Sequence, residues 1–481
     1  MKIKSIIVAI AAMLSLYTVD TAQAAEVTTV SSLEELMPYL KMDNVNVKMA
    51  PGTYIFTAKD AQSKIFRTPI EVVEGRLTYA MIPIFGSNST YDFTDVTIEV
   101  ETVVFNAYEN CEFVELHILG SNNVVKNLKL QDVGSPDDFP QWGCVNVVID
   151  GANNRIDGVE IRSTGSTPYG YGELFGKGGP TTIKHKKHSA CLVRGYQNHV
   201  KDCKIYHRAY GHCLFMQAAD KPLIEGTYIE GTMTTTDKVL EERGSGSKAD
   251  KINFKTVWGY EVPTGYTIAL TEAGIRAYDS GNTIVDGVRI TKRGTSNATV
   301  RGCTVKHARV GVVISHSKGQ NLIEDCTAIG TERGFAVGDG GKILRCRTDV
   351  AFGPALVMAY DRTANVTADI TIIPYPEGEN KYMGNGSGQI ALIKGVGHNI
   401  SIKRDPSLKD SDIDKNLTIC VGGDDNTIGA RAKVNEYRAS DMDIYNETTF
   451  PILIDKNGSE IRVKTKGEVV DNGEKNTITK L

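Results

Sequence analysis

The 481-residue chain is poor in aromatic residues, at 7%, and has two tryptophans, Trp142 and Trp258. Past its first residues it has no apolar run of the roughly 18 residues that a bilayer-spanning helix needs. Charge of one sign is also scarce: 54 Lys and Arg against 58 Asp and Glu leave a net charge of −4. That balance argues against bulk electrostatic binding of nucleic acid, which calls for a strongly basic domain. Disorder is excluded as well, because 41% hydrophobic content at so small a net charge can bury a core. The nine cysteines are odd in number and include no C-x-x-C pair. Free buried thiols therefore explain them better than a disulfide framework or a cysteine metal site. No G-x-S-x-G, H-E-x-x-H or P-loop motif occurs.

The N-terminus has the parts of a secretory signal peptide. Met1-Lys2-Ile3-Lys4 is positive, Ile6 to Leu16 is apolar but too short to span, and Ala22-Gln23-Ala24 fits a small-x-small cleavage site. Cleavage after Ala24 would leave residues 25–481 as the mature chain. The first cysteine is Cys111, so no lipid-accepting thiol lies near that site. The expectation is a soluble periplasmic or secreted protein with no membrane segment after cleavage.

One eight-residue phrase organises the rest: polar, any, Val or Ile, polar, a turn former, small or apolar, polar, apolar. Copies begin at Asn123, Asn154, Asn198, Pro222, Thr283 and Ala298, with looser ones at Asn321 and Gly341. Each alternates like a strand with one buried face, and the turn former marks a corner. Start-to-start spacings of 31, 44, 24, 61, 15, 23 and 20 residues fit coils of about 20 residues carrying loops. The 15-residue step is too short for a coil, which puts the Thr283 copy in question. The pattern predicts an all-β fold, a single-stranded right-handed parallel β-helix over 25–481. Insertions are expected near 134–143, 164–188 and 232–282. Val45 to Ile55 reads as a first coil, and the Ser-capped apolar spacing of Ser31 to Leu40 as a short helix covering the open end. Cys203, Cys303, Cys326 and Cys346 share the sixth position of the phrase, so stacked coils would line them up in a buried column.

Chemistry concentrates between Lys184 and His212. Lys184, His185, Lys186, Lys187, His188, Arg194, His199, Lys201, Lys204, His207, Arg208 and His212 face a single acid, Asp202. In a slightly negative chain this is a local positive patch, suited to an acidic polysaccharide or oligosaccharide. His207 and His307 follow their phrases at the same offset, which marks this position as one a structural corner histidine can fill. His212 shares strand parity with Leu214 and Met216, the inward face. Removing a proton alpha to a uronate carboxylate requires a neutralising cation and a base. Arg194 or Arg208 could supply the first, His207 or His188 with Tyr210 the second, and Lys187 belongs to the same cluster. Lys184, Lys186 and His212 would bind substrate, with Trp142, Trp258 and Tyr260 as platforms for sugar rings. A hydrolase would instead need two carboxylates at a defined separation, for which Glu225, Glu230, Asp237, Glu241 or Glu242 are within reach. A non-catalytic binding protein is the third reading. No metal ligand set is assigned, although the paired acids Asp137-Asp138 and Asp424-Asp425 could hold Ca²⁺.

The stretch Asn198 to Gly231, with Cys203 and the run His207-Arg208-Ala209-Tyr210-Gly211-His212, resembles the central coils of alginate lyases and chondroitinase B. The wider resemblance, to secreted pectate-lyase-like β-helix proteins, covers roughly residues 45 to 480. It extends to β-helix enzymes of polysaccharide-utilisation loci, including dehydratases of ulvan-type oligosaccharides. The resemblance implies β-elimination on uronic-acid polymers by a Lys base and an Arg, usually with Ca²⁺ held by acids. The position of that Arg falls on Phe215-Met216-Gln217 here, and no acid adjoins Lys184 to Lys187 in sequence.

Overall fold

A computed structural model describes residues 26–108, 111–135, 143–176, 182–358, 363–377, 388–409, 416–423 and 438–481. The predicted signal peptide, Trp142 and the acid pairs at 137–138 and 424–425 lie outside them.

Each repeat phrase forms two short strands with one bend between them. The residue at the fifth position adopts the left-handed conformation in every copy that builds a coil. The φ values are 60° at Asn127, 63° at Gly158, 49° at Asp202, 61° at Gly226, 61° at Gly302, 53° at Asp325 and 52° at Arg345. A single left-handed residue turns the chain a corner without reversing it, and Gly, Asn and Asp adopt that conformation most readily. Arg345 is the exception. Its guanidinium is held by Glu324 and Asp325 of the preceding coil.

Stacking these bends yields parallel ladders. Arg155–Asp157 pairs with His199–Lys201, which pairs with Leu223–Glu225 and then Thr299–Arg301. Two faces of the coil belong to one 22-stranded sheet, joined by strands that run round a corner, and the third face is a 14-stranded sheet. The molecule is an all-β, right-handed parallel β-helix. Leu33–Leu36 forms the short N-terminal helix, capped by the Ser32 side chain, and Leu33, Leu36, Met37 and Leu40 join the core. Asparagines at the first phrase position form a second ladder: Asn123 N–H donates to Asn154 Oδ1, and Asn154 N–H to Asn198 Oδ1. Among the described residues no helix is long and apolar enough to cross a membrane.

The Thr283 copy is not a coil. Thr283–Val285 and Val288–Ile290 form an antiparallel hairpin, because Asp286 and Gly287 are both left-handed and together reverse the chain. The expected insertion at 232–282 also needs correcting. The inserted unit ends near Leu270, and Ala273–Ala277 returns to the 14-stranded sheet as an ordinary coil strand.

Cys203, Cys303, Cys326 and Cys346 are free and buried in the core, stacked in one column. A thiol reagent should therefore leave all four unmodified in the native protein and react with them only on unfolding. Partly exposed Cys111 and Cys420 are the sites open to native labelling. Rapid native labelling of any of the four, read by mass spectrometry, would contradict this register.

Candidate functional site

The outer face of the 14-stranded sheet carries a cleft of about 380 Å³. Its apolar lining is Val72, Val145, Leu192 and Phe215, members of one cluster outside the main core, with Leu192 paired to Phe215 of the next coil. The alternation that builds this lining is broken once per strand. Cys213 and Leu214 both face the core, as do Ala190 and Cys191, so the flanking residues change sides. His212 is thereby displaced from the inward face its parity predicts to the cleft, where it touches the rings of Phe215 and Tyr278. Arg76, Lys187, Arg194 and Tyr278 also line the cleft, with Glu112 as its one carboxylate among the described residues.

A hydrogen-bonded line crosses one end of the cleft. The Tyr278 hydroxyl lies 2.7 Å from His212 Nε2. The same nitrogen is 3.2 Å from Glu272 Oε2, which accepts from Lys187 Nζ at 2.6 Å. Burial alone would raise the Glu272 carboxyl, but His212, Lys187 and Arg309 outweigh it and hold it below the ordinary carboxylate range. Arg309 is anchored from behind by Glu173 at 3.2 Å. Burial pushes the Tyr278 phenol up to about 12, reinforced by Glu272. Burial also pushes His212 down to about 3, so its ring is neutral. Arg194 sits across the cleft, with Nη1 3.5 Å from Asp150. Asp150 is itself fixed by His117 Nε2 at 2.7 Å and by the Thr283 hydroxyl at 2.6 Å. The hairpin mistaken for a coil thus helps to hold a cleft-lining cation.

Of the residues expected from sequence, Lys187, Arg194 and His212 meet at this cleft. The others among the described residues do not line it. His207 is buried and donates from Nε2 to the His188 carbonyl at 2.9 Å, so it braces a strand and reaches no ligand. His188 is fully buried on the inner side of its strand, its ring edge-on to Phe105. Tyr210 is buried, with Lys187 Nζ 5.7 Å from its ring centre. Arg208 and Lys184 are exposed and Lys186 half-buried, all off the cleft, and Arg208 packs over Tyr169. Trp258 and Tyr260 stack on each other at 6.2 Å within the inserted unit. Sequence reasoning missed Glu272, Tyr278 and Arg309. It did notice that Phe215-Met216-Gln217 lacks an arginine, and Arg276 stands beside Phe215 one coil later.

The buried histidines have a signed consequence. Burial lowers His207 to about 3, so the folded protein keeps it neutral while the unfolded chain protonates it near 6.5. Its contribution is complete above that value and is lost as pH falls below it. Glu332, raised by burial to about 7, and Asp349, raised to about 6, act in the opposite sense over the same range. The contribution of His207 is therefore isolated by difference. The stability gap between wild type and His207→Gln should narrow between pH 7.5 and 4.5, measured by thermal unfolding. A gap that stays constant or widens would contradict a neutral His207.

Residues 189–348 match the family model for the right handed beta helix region. The fold is that of a β-helix. No curated protein matches the sequence. Among solved structures, the chain is similar to the Dettilon tailspike protein gp208 at 11% identity and a TM-score of 0.38, over 93% of this chain and 63% of the tailspike. It is similar to a mannuronic acid specific polysaccharide family 6 lyase from human gut microbiota at 12% identity and a TM-score of 0.38, over 95% and 83% of the two chains. The A-module of the Azotobacter vinelandii mannuronan C-5 epimerase AlgE6 is similar at 10% identity and a TM-score of 0.34, over 90% of each.

Proposed function

We propose that this β-helix is a carbohydrate-active enzyme that performs β-elimination on a uronic-acid-containing polysaccharide or oligosaccharide bound in the cleft. The observation that carries this reading is the Tyr278–His212–Glu272 line opening onto a cleft with three cations and one carboxylate. A polymer threaded along the coil would place a uronate carboxylate against Arg194, Lys187 or Arg76, neutralising it and acidifying the adjacent C5–H. Tyr278 and His212 share one proton at the cleft, and a bound uronate would draw it from the phenol toward His212 Nε2, where the Glu272 carboxylate beside the same nitrogen offsets the charge it brings. The phenolate removes the C5 proton, the C5–H pair becomes the C4=C5 double bond, and the C4–O bond breaks. The leaving oxygen takes up a proton from the Tyr278–His212 pair, departing as a sugar hydroxyl in a lyase or as water in a dehydratase.

A glycosidase would require two facing carboxylates, whereas Glu112 is the single acid lining the cleft among the described residues. The test is incubation with polymannuronate, polygalacturonate and glucuronate-containing polymers and their oligosaccharides. At least one should give the ultraviolet absorbance of a new C4=C5 double bond. New reducing ends without that absorbance would make the protein a hydrolase, and binding without product would make it a binding module.

A further inference from the structure

We propose that Glu115, Asp132 and His188 bind one divalent metal ion of the zinc class inside the coil, beneath the cleft strands. The three come from strands Glu112–Ile118, Val124–Val133 and His188–Tyr196, and one donor atom of each lies within 4.8 Å of the others. The side chains of Asp132 and His188 are fully buried, and Glu115 is 1% exposed.

The hydrogen bonding around them leaves acceptors facing acceptors. His188 Nδ1 points at two carbonyls, Thr164 O at 3.0 Å and Gly165 O at 3.2 Å, so Nδ1 carries the ring proton. In the neutral ring Nε2 then presents a lone pair; it has no hydrogen-bond partner and lies 3.6 Å from Asp132 Oδ2. A backbone-anchored Nδ1–H with a free Nε2 is the arrangement of a metal-ligating histidine. Asp132 Oδ2 accepts from Thr164 N–H and Asn146 Nδ2, while Oδ1 has no partner. Glu115 lies against Asp132 and Asn146 with neither oxygen in a well-formed hydrogen bond.

The unpartnered atoms that converge here, Asp132 Oδ1, both Glu115 oxygens and His188 Nε2, would be satisfied by a cation between them. Ligands held about 2.1 Å from a tetrahedral ion stand roughly 3.4 Å apart, close to the 3.6 Å between His188 Nε2 and Asp132 Oδ2. One nitrogen and two carboxylates suit zinc, whereas calcium takes six to eight oxygens, more than these three buried side chains supply. A proton on Glu115, whose carboxyl burial and Asp132 both push up, is the rival occupant. It would satisfy one acceptor and leave the His188 lone pair facing Asp132. The ion would pin the inner side of a strand whose preceding residue, Lys187, reaches Glu272 in the cleft.

A site sealed by the core fills as the chain folds. The full-length protein is therefore refolded with zinc and without it, dialysed against a chelator, and assayed for metal by mass spectrometry. Wild type refolded with zinc should keep about one zinc per chain. Glu115→Gln, nearly the same shape, and His188→Gln should each keep less than about a tenth of that. His398→Gln should keep it all, because both nitrogens of His398 are already hydrogen-bonded. If His188→Gln does not fold, Glu115→Gln decides. Folded wild type without zinc, or Glu115→Gln retaining as much as wild type, would overturn the proposal and leave a proton in its place.

Discussion

Tyr278→Phe should lower turnover on the responsive uronate polymer by about 10²–10⁴-fold, the range for losing one acid–base group. The change deletes a single oxygen. The ring keeps its edge-on contact with Phe215 at 6.3 Å and its place beneath Arg276, so folding and polymer binding should be preserved. His212→Gln should fall by a similar factor. The double variant should fall little further, because groups that hand on one proton act as a unit. The readout is kcat from double-bond absorbance, with KM nearly constant for Tyr278→Phe. Retention of activity within about threefold would remove Tyr278 from the chemistry. Loss of activity in Glu112→Gln with Tyr278→Phe unaffected would point to hydrolysis.

Glu272→Gln should cost about 3 kcal/mol of stability, the lower end for stripping one partner from a buried ion pair. Glu272 is buried and offsets Lys187 and Arg309 together. Lys187 keeps 32% of its side-chain surface, and Arg309 keeps Glu173, so the unpaired charges retain partial solvation. That is why the low end applies. The denaturant midpoint measures the loss. Glu272→Gln with Lys187→Met should recover part of it, since the second change removes one of the stranded charges. Additive losses in the double variant would show that the two side chains do not interact.

The coil was legible because its bend is chemical. Asn, Asp or Gly at the fifth phrase position is what a left-handed corner selects, and the cysteine column followed from the same register. The Thr283 copy escaped that logic for a specific reason. Asp157-Gly158 and Asp286-Gly287 are the same dipeptide, but Asp157 stays in its strand at negative φ while Asp286 is left-handed together with Gly287. One left-handed residue turns a corner and two make a hairpin, and the dipeptide does not say which. The site was half legible. The basic window named Lys187, Arg194 and His212, yet strand parity placed His212 inside because paired inward residues such as Cys213-Leu214 are invisible to a two-residue period. Glu272 and Tyr278 were hidden because they flank Ala273–Ala277, a strand that follows the inserted unit and lies outside every copy of the repeat phrase. His188 and His207 were attractive for their residue type, but burial makes one an internal ligand candidate and the other a brace.

The most direct measurement uses an oligouronate deuterated at C5 of the residue being cleaved or dehydrated. Removal of that proton by Tyr278 predicts complete loss of the label from the unsaturated product and a primary isotope effect on kcat/KM. In Tyr278→Phe the residual reaction should be slower by the factor given above. Full retention of deuterium at C5 in saturated products, with oxygen from solvent at the new reducing end, would show that the cleft hydrolyses its substrate and that the elimination account is wrong.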